Sequence, residues 1–150
     1  MEQRLRLDKV APDAMKVMLE LEQYVQSSVD HTLLHLIKLR ASFINGCTFC
    51  IDMHTTDALR AGESSRRLFA VAAWRESPFF SETERAALAL TDAVTNIGVA
   101  GVPDDVWNEA RRFWSEKQLA DVMMAIVAIN AWNRIAITSR TMPPAEKHAR

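Results

Sequence analysis

The sequence predicts an all-α fold, and three observations carry that expectation. Apolar residues recur at three- and four-residue intervals along nearly all of the 150 residues, the spacing of one helix face. No run of strict apolar–polar alternation flanked by turn residues is long enough to compel a strand. Only four Gly and five Pro are present, too few for a sandwich or barrel of short strands, which needs turn residues roughly every ten positions. Hydrophobic residues at 49% and charged residues at 25% are those of an ordinary globular protein and exclude a disordered chain. A fold of this length can bury roughly 70% of its unfolded surface, so residues 1–150 read as one helical domain of about six to seven helices.

The first helix begins near Pro12, because proline suits a first turn whose amide has no partner, and runs to about Ser27. Met15, Met18, Leu19, Leu21, Glu22 and Val25 lie largely on one stripe of it. Asp30 caps the second helix, which carries Leu33, Leu34, Leu36, Ile37 and Phe43 and ends at Asn45-Gly46, a pair suited to a left-handed stop. The third, the candidate catalytic helix, spans Cys47 to about Ala61 and stops at Gly62. A fourth runs from Ser64 through Trp74 until Ser77-Pro78 breaks the pattern.

Ser81-Glu82-Thr83-Glu84 has the order of a capping box, in which the serine and the second glutamate each accept an exposed amide, so a fifth helix runs on to Asn96. Gly98 and Gly101 end it. Pro103-Asp104-Asp105 opens a sixth helix with a missing amide and two carboxylates at the positive end of the helix dipole. Ser115 with Gln118 opens the last, roughly Glu116 to Thr138. Its run Val122 to Ile129 is apolar all round, but Asn130, Asn133 and Arg134 interrupt it short of the ~20 residues that cross a bilayer. It is read as a buried central or interface helix, and residues 141–150 as a frayed tail.

Eighteen basic against nineteen acidic side chains leave a net charge of −1, which offers no general field for nucleic acid or an anionic membrane. The start MEQRLRLDKV lacks the apolar stretch of a secretion signal, so the reducing cytoplasm is the expected compartment. There, a close cysteine pair is more often catalytic or metal-binding than structural. The two cysteines are Cys47 and Cys50.

In Cys47-Thr48-Phe49-Cys50-Ile51-Asp52-Met53-His54 the reactive residues are three and four apart. At 100° per residue both thiols and the imidazole share one helix face of ~60°. A helix start lowers a thiol pKa from ~8.5 toward neutrality, and His54 stands where it can take a proton from Cys50. Three readings compete: buried structural cysteines with a core histidine, a zinc site of Cys47, Cys50, His54 and a fourth ligand such as His35, and thiol redox chemistry. The joint spacing favours the third. The dipole favours Cys47 as the thiolate and the imidazole favours Cys50, so the residues alone leave the order of attack open.

The stretch from Leu34 through Asn45-Gly46-Cys47-Thr48-Phe49-Cys50-Ile51-Asp52-Met53-His54, with Trp74-Arg75-Glu76-Ser77-Pro78-Phe79-Phe80-Ser81 and the stretch after it, resembles the AhpD-like alkylhydroperoxidases of the carboxymuconolactone decarboxylase superfamily. The resemblance implies an all-α, AhpD-like homo-oligomer (dimer, trimer or hexamer) that reduces organic hydroperoxides or hydrogen peroxide. In that scheme Cys50 is the peroxidatic thiol, Cys47 the resolving thiol and His54 the proton relay, with no cofactor or metal. An external lipoyl or thioredoxin-like dithiol resets the disulfide. The family commonly has a glutamate twelve residues before the first cysteine, where this sequence has His35, so the relay is altered. Phe43 replaces a frequent glutamine and reads first as core, second as an apolar residue on the approach to the thiols. The alternatives are a decarboxylase of the same superfamily, which needs acid–base groups and not a dithiol, and a non-catalytic metal-binding or redox-sensing oligomer. His31 reads as a residue beside a cap, His148 as part of the tail, and Trp74, Trp107, Trp114 and Trp132 as core and interface filling.

Overall fold

The computed structural model describes residues 2–144 as helices and turns, with no strand among the described residues. The order is α1 (Leu7–Val10), α2 (Pro12–Ser28), α3 (His31–Asn45), α4 (Thr48–Arg60), α5 (Ser65–Ala70), a 3₁₀ segment (Val71–Glu76), α6 (Glu82–Thr95), α7 (Asp104–Arg111) and α8 (Glu116–Ser139). The predicted all-α class is what is observed.

Helix α3 is the hub because it is apolar on more than one face. Its Leu33, Leu34, Ile37 and Ala41 join Val25 of α2, Leu90 of α6 and Val122, Ile126 and Ile129 of α8 in one core. Its Leu36 and Leu39 turn to a second core with Ala58 of α4, Leu68, Val71, Trp74 and Leu88. Helix α8 is long and apolar enough to cross a membrane by composition alone, yet Val122, Ala125, Ile126 and Ile129 are buried against the other helices. It serves as the core helix that its sequence predicts.

The local signals hold where the sequence places them. Asp30 accepts the amide of Leu33, and Ser81 with Glu84 and Ser115 with Gln118 both close capping boxes. Three expectations need correction. The short α1 buries no residue and has no side-chain cap, so no pattern announces it. The predicted helix Ser64 to Trp74 passes from α5 into the 3₁₀ segment after Ala70 and is broken within that segment at the non-helical Ala73 (φ −123°, ψ 40°). There Arg40 donates to the Ala72 carbonyl at 2.9 Å, and Arg85 donates to those of Trp74, Ser77 and Arg75 at 3.0–3.2 Å. Two guanidinium groups satisfy carbonyls that a continuous helix would have used itself. Cys47, the third correction, belongs to the site. Of the expected frayed tail, residues 141–144 carry no helix; the rest, His148 included, lies outside the described residues.

Candidate functional site

The site begins with an abrupt change of direction. Gly46 adopts φ 69°, ψ 33° and stops α3, a left-handed conformation that glycine takes without steric cost. The amides of Gly46 and Cys47 then close on the carbonyls of Phe43 and Ser42 at 3.3 and 3.0 Å. Cys47 is the N-cap of α4, with extended backbone, and not its first helical residue. Its sulfur accepts the Cys50 amide at 3.3 Å, the role usually filled by a serine or aspartate oxygen. The two cysteines form a disulfide with their Cα atoms 5.3 Å apart. Both are buried, against Ala136 of α8 and Phe49.

A cavity of about 680 Å3 lies against this turn. Cys50 and His54 line it; Cys47 does not. Its walls are mostly apolar: Leu5 and Leu7 from the N-terminal segment, Met15 and Leu19 from α2, Leu34 from α3, Phe49 and Met53 from α4, and Trp132, Ile135 and Ala136 from α8. The N-terminal segment is held over this end by the Arg4 amide, which donates to the Ser139 carbonyl at 2.9 Å.

His54 is 6% exposed, and its Nε2 has no hydrogen-bonding partner. Its pKa is pushed down to about 4, first by burial and then by the charge of Lys38, with Glu22 opposing. The imidazole is therefore neutral at pH 7 and able to accept a proton. His35 also lines the cavity; burial, then Lys38, moves its pKa below the usual value. The structure thus gathers Cys50, His54 and His35 at one cavity, with Cys47 behind Cys50. Among the described residues, no three His, Cys, Asp or Glu side chains converge as a metal-binding group.

Sequence reasoning missed a charged pair on the same wall. The buried Lys38 and the partly buried Glu22 form an ion pair, and Gln26 and Trp132 donate to the same carboxylate at 2.7 and 3.2 Å. Burial alone would raise the Glu22 pKa, but these hydrogen bonds outweigh it and the net shift is downward. The signal was present: Glu22 falls on the apolar stripe of its helix, and Lys38 interrupts a run of buried leucine and isoleucine. Trp132, read as filling, is a wall of the cavity. Phe43 packs on the second core and is not on the cavity wall, so its reading as core is the one that stands.

Residues 12–93 match the family model described as the carboxymuconolactone decarboxylase family. The chain belongs to that family. Within it, this member is 44% identical over 138 residues to the uncharacterized protein YdfG of Bacillus subtilis, covering 91% of this chain and 94% of the relative. A crystal structure from Agrobacterium tumefaciens superimposes with a TM-score of 0.93 at 45% identity, over 97% of this chain and all of that one. It is described as a protein of unknown function and a candidate antioxidant defence protein, AhpD. The debrominase Bmp8 shares the fold at a TM-score of 0.80 and 23% identity, over 89% of this chain and 73% of its own. The AhpD-like fold expected from the motif is the fold of this member, and the family match reaches from α2 into α6. Helix α8, which closes the cavity with Trp132, Ile135 and Ala136, lies beyond the matched segment.

Proposed function

We propose that the protein is a thiol-dependent hydroperoxide reductase that cycles Cys47 and Cys50 between dithiol and disulfide. The observation that carries this reading is the placement of Cys50 and a neutral, unpartnered His54 on the wall of one apolar cavity, with Cys47 behind Cys50. In the reduced protein Cys50 gives its proton to His54, and the thiolate attacks the distal oxygen of the hydroperoxide. An S–O bond forms and the O–O bond breaks. The departing alkoxide takes the proton back from His54, leaving an alcohol and a sulfenic acid on Cys50. Cys47 then attacks that sulfur, water leaves, and the disulfide closes. An external dithiol, of lipoyl or thioredoxin-like type, returns two electrons and two protons.

The size and apolar lining of the cavity support an organic hydroperoxide as substrate, with hydrogen peroxide a smaller competitor. A dithiol beside a base supports peroxide reduction over decarboxylation, which has no use for two sulfurs. The proposed setting is the cytoplasm, as a homo-oligomer, with Met123 and Val127 on the exposed side of α8 as a surface for a second copy.

The test is direct. Reduced protein given stoichiometric cumene or tert-butyl hydroperoxide should lose two thiols per chain and yield one alcohol. Thiols that persist for hours would end this reading. Catalytic turnover with lipoyl and thioredoxin-like donors then identifies the reductant.

A further inference from the structure

We propose that Lys38, held by Glu22, is a further catalytic residue: its ammonium is the fixed positive charge that favours the Cys50 thiolate and receives the charge of the oxygen leaving the peroxide. The second half of this inference rests on the peroxidase reading; the first does not.

Lys38 is 4% exposed and lines the cavity together with Cys50 and His54. Lysine is almost never buried without a partner, because its charge is costly to remove from water. Glu22 supplies that partner, but the two ends of the pair are not equally satisfied. The carboxylate accepts from Lys38, Gln26 and Trp132. The ammonium has three donors, and among the described residues only Glu22 accepts from it. In the same cavity His54 Nε2 is a buried nitrogen without a hydrogen-bonding partner. An under-used cation and an unpartnered imidazole nitrogen that line one cavity with a reactive thiol form a site for a small oxygen-bearing group.

The other charged and titratable groups around the cavity do not supply this field. They are His31 and His35 on α3, Asp57 on α4, and Arg6 and Asp8 in the N-terminal segment; α8 contributes none. Arg6 is paired with Asp8 at 2.7 Å on the exposed rim, and burial lowers the pKa of His35 and so favours its neutral form. Lys38 also depresses the pKa of His54 more than Glu22 restores it, so the pair acts on the imidazole as a net positive charge.

A positive field at this point acts twice on the same reaction. It favours loss of the proton from Cys50, one turn from His54, and it makes the proton on His54 easier to pass to the alkoxide. The balance is Cys50 thiol plus hydroperoxide giving Cys50 sulfenic acid plus alcohol. The thiol proton travels through His54 to the departing oxygen, and Lys38 begins and ends the step as an ammonium.

The experiment uses a Cys47→Ser background, so that Cys50 reacts alone. Two readouts are taken: the pH midpoint of alkylation by iodoacetamide, and the rate with cumene hydroperoxide. Lys38→Met leaves Glu22 uncompensated and can unfold the chain, so Lys38→Met with Glu22→Gln, which removes both charges, is the deciding variant. It should move the alkylation midpoint about one unit higher and slow the peroxide reaction about tenfold or more. Lys38→Arg should restore most of both. A folded double variant with the parental midpoint and rate overturns the proposal. Alkylation needs no peroxide chemistry, so the two readings fail separately. A parent indifferent to hydroperoxide, with a midpoint that still responds to Lys38, overturns the peroxidase reading and supports the effect on the thiolate.

Discussion

Asn45, the last residue of α3, donates its side-chain amide to Asn133 Oδ1 of α8 at 2.9 Å. The same amide reaches Asn130 Oδ1 at 3.0 Å, and the fully buried Asn133 donates in turn to Ser42 Oγ at 3.1 Å. The turn that delivers the cysteines is thereby tied to the middle of the core helix. Asn133→Leu removes this tie and leaves polar atoms of Asn45 and Ser42 short of partners. It should destabilise the protein by about 1–3 kcal/mol and slow the thiol reaction, as read by urea unfolding and by hydroperoxide-dependent thiol loss. Stability within about 0.5 kcal/mol of the parent would show that Asn133 is not an anchor.

Cys50 faces the cavity and Cys47 does not, which predicts an asymmetry between the two thiols. After one equivalent of hydroperoxide, Cys47→Ser should carry a sulfenic acid on Cys50 that dimedone labels. Cys50→Ser should be labelled at least about tenfold more slowly, since an enclosed thiol away from the base is a poor nucleophile. The reverse order of labelling would assign the attack to Cys47.

Acid should weaken the fold through His54. Its pKa in the folded protein is about 4, below the ~6.5 of an unfolded chain, so on acidification the unfolded chain takes up this proton first. Stability is complete above pH ~6.5, falls between there and pH ~4, and this group contributes a loss on the order of 3 kcal/mol. His35, also shifted down, adds to the loss in the same direction. Urea titrations from pH ~7 to ~4.5 on the oxidised protein measure the slope, and His54→Gln should flatten most of it. An equal slope in the variant would show that His54 is not the group responsible.

What could be read in the sequence is what is decided within one turn of helix. Asp30, Gly46, Ser81 with Glu84, and Ser115 with Gln118 act on amides and carbonyls three or four residues away, and all stand where expected. The Cys50 and His54 spacing is of the same kind. Residues whose part is set by distant groups could not be placed. The break at Ala73 depends on Arg40 and Arg85 reaching in from other helices. Glu22, Lys38 and Trp132 come from three helices, and only packing brings them to one wall. Cys47 stands at the start of its helix as the sequence predicts, but as the extended cap residue, because a sulfur in the cap position is not announced by its neighbours.

His35 stands where AhpD-like sequences commonly carry a glutamate, and its position on the cavity wall, half-buried, gives that difference a defined consequence. It lies one turn before Lys38 on α3, and when protonated it also bears downward on the pKa of His54. His35→Glu replaces a group that opposes the imidazolium with one that favours it, so the pKa of His54 should rise from about 4. In the proposed mechanism the reaction with peroxide needs His54 as a free base. The acid limb of the rate profile should therefore move to higher pH, by about one unit for a single carboxylate at this range. His35→Gln, which adds no charge, should move the limb much less, so the pair of variants separates charge from shape. Rates of thiol loss with cumene hydroperoxide between pH ~4 and ~8 give the limb directly. A limb that stays in place in His35→Glu would mean that residue 35 exerts no influence on His54, and that Lys38 and Glu22 alone set the charge of the site.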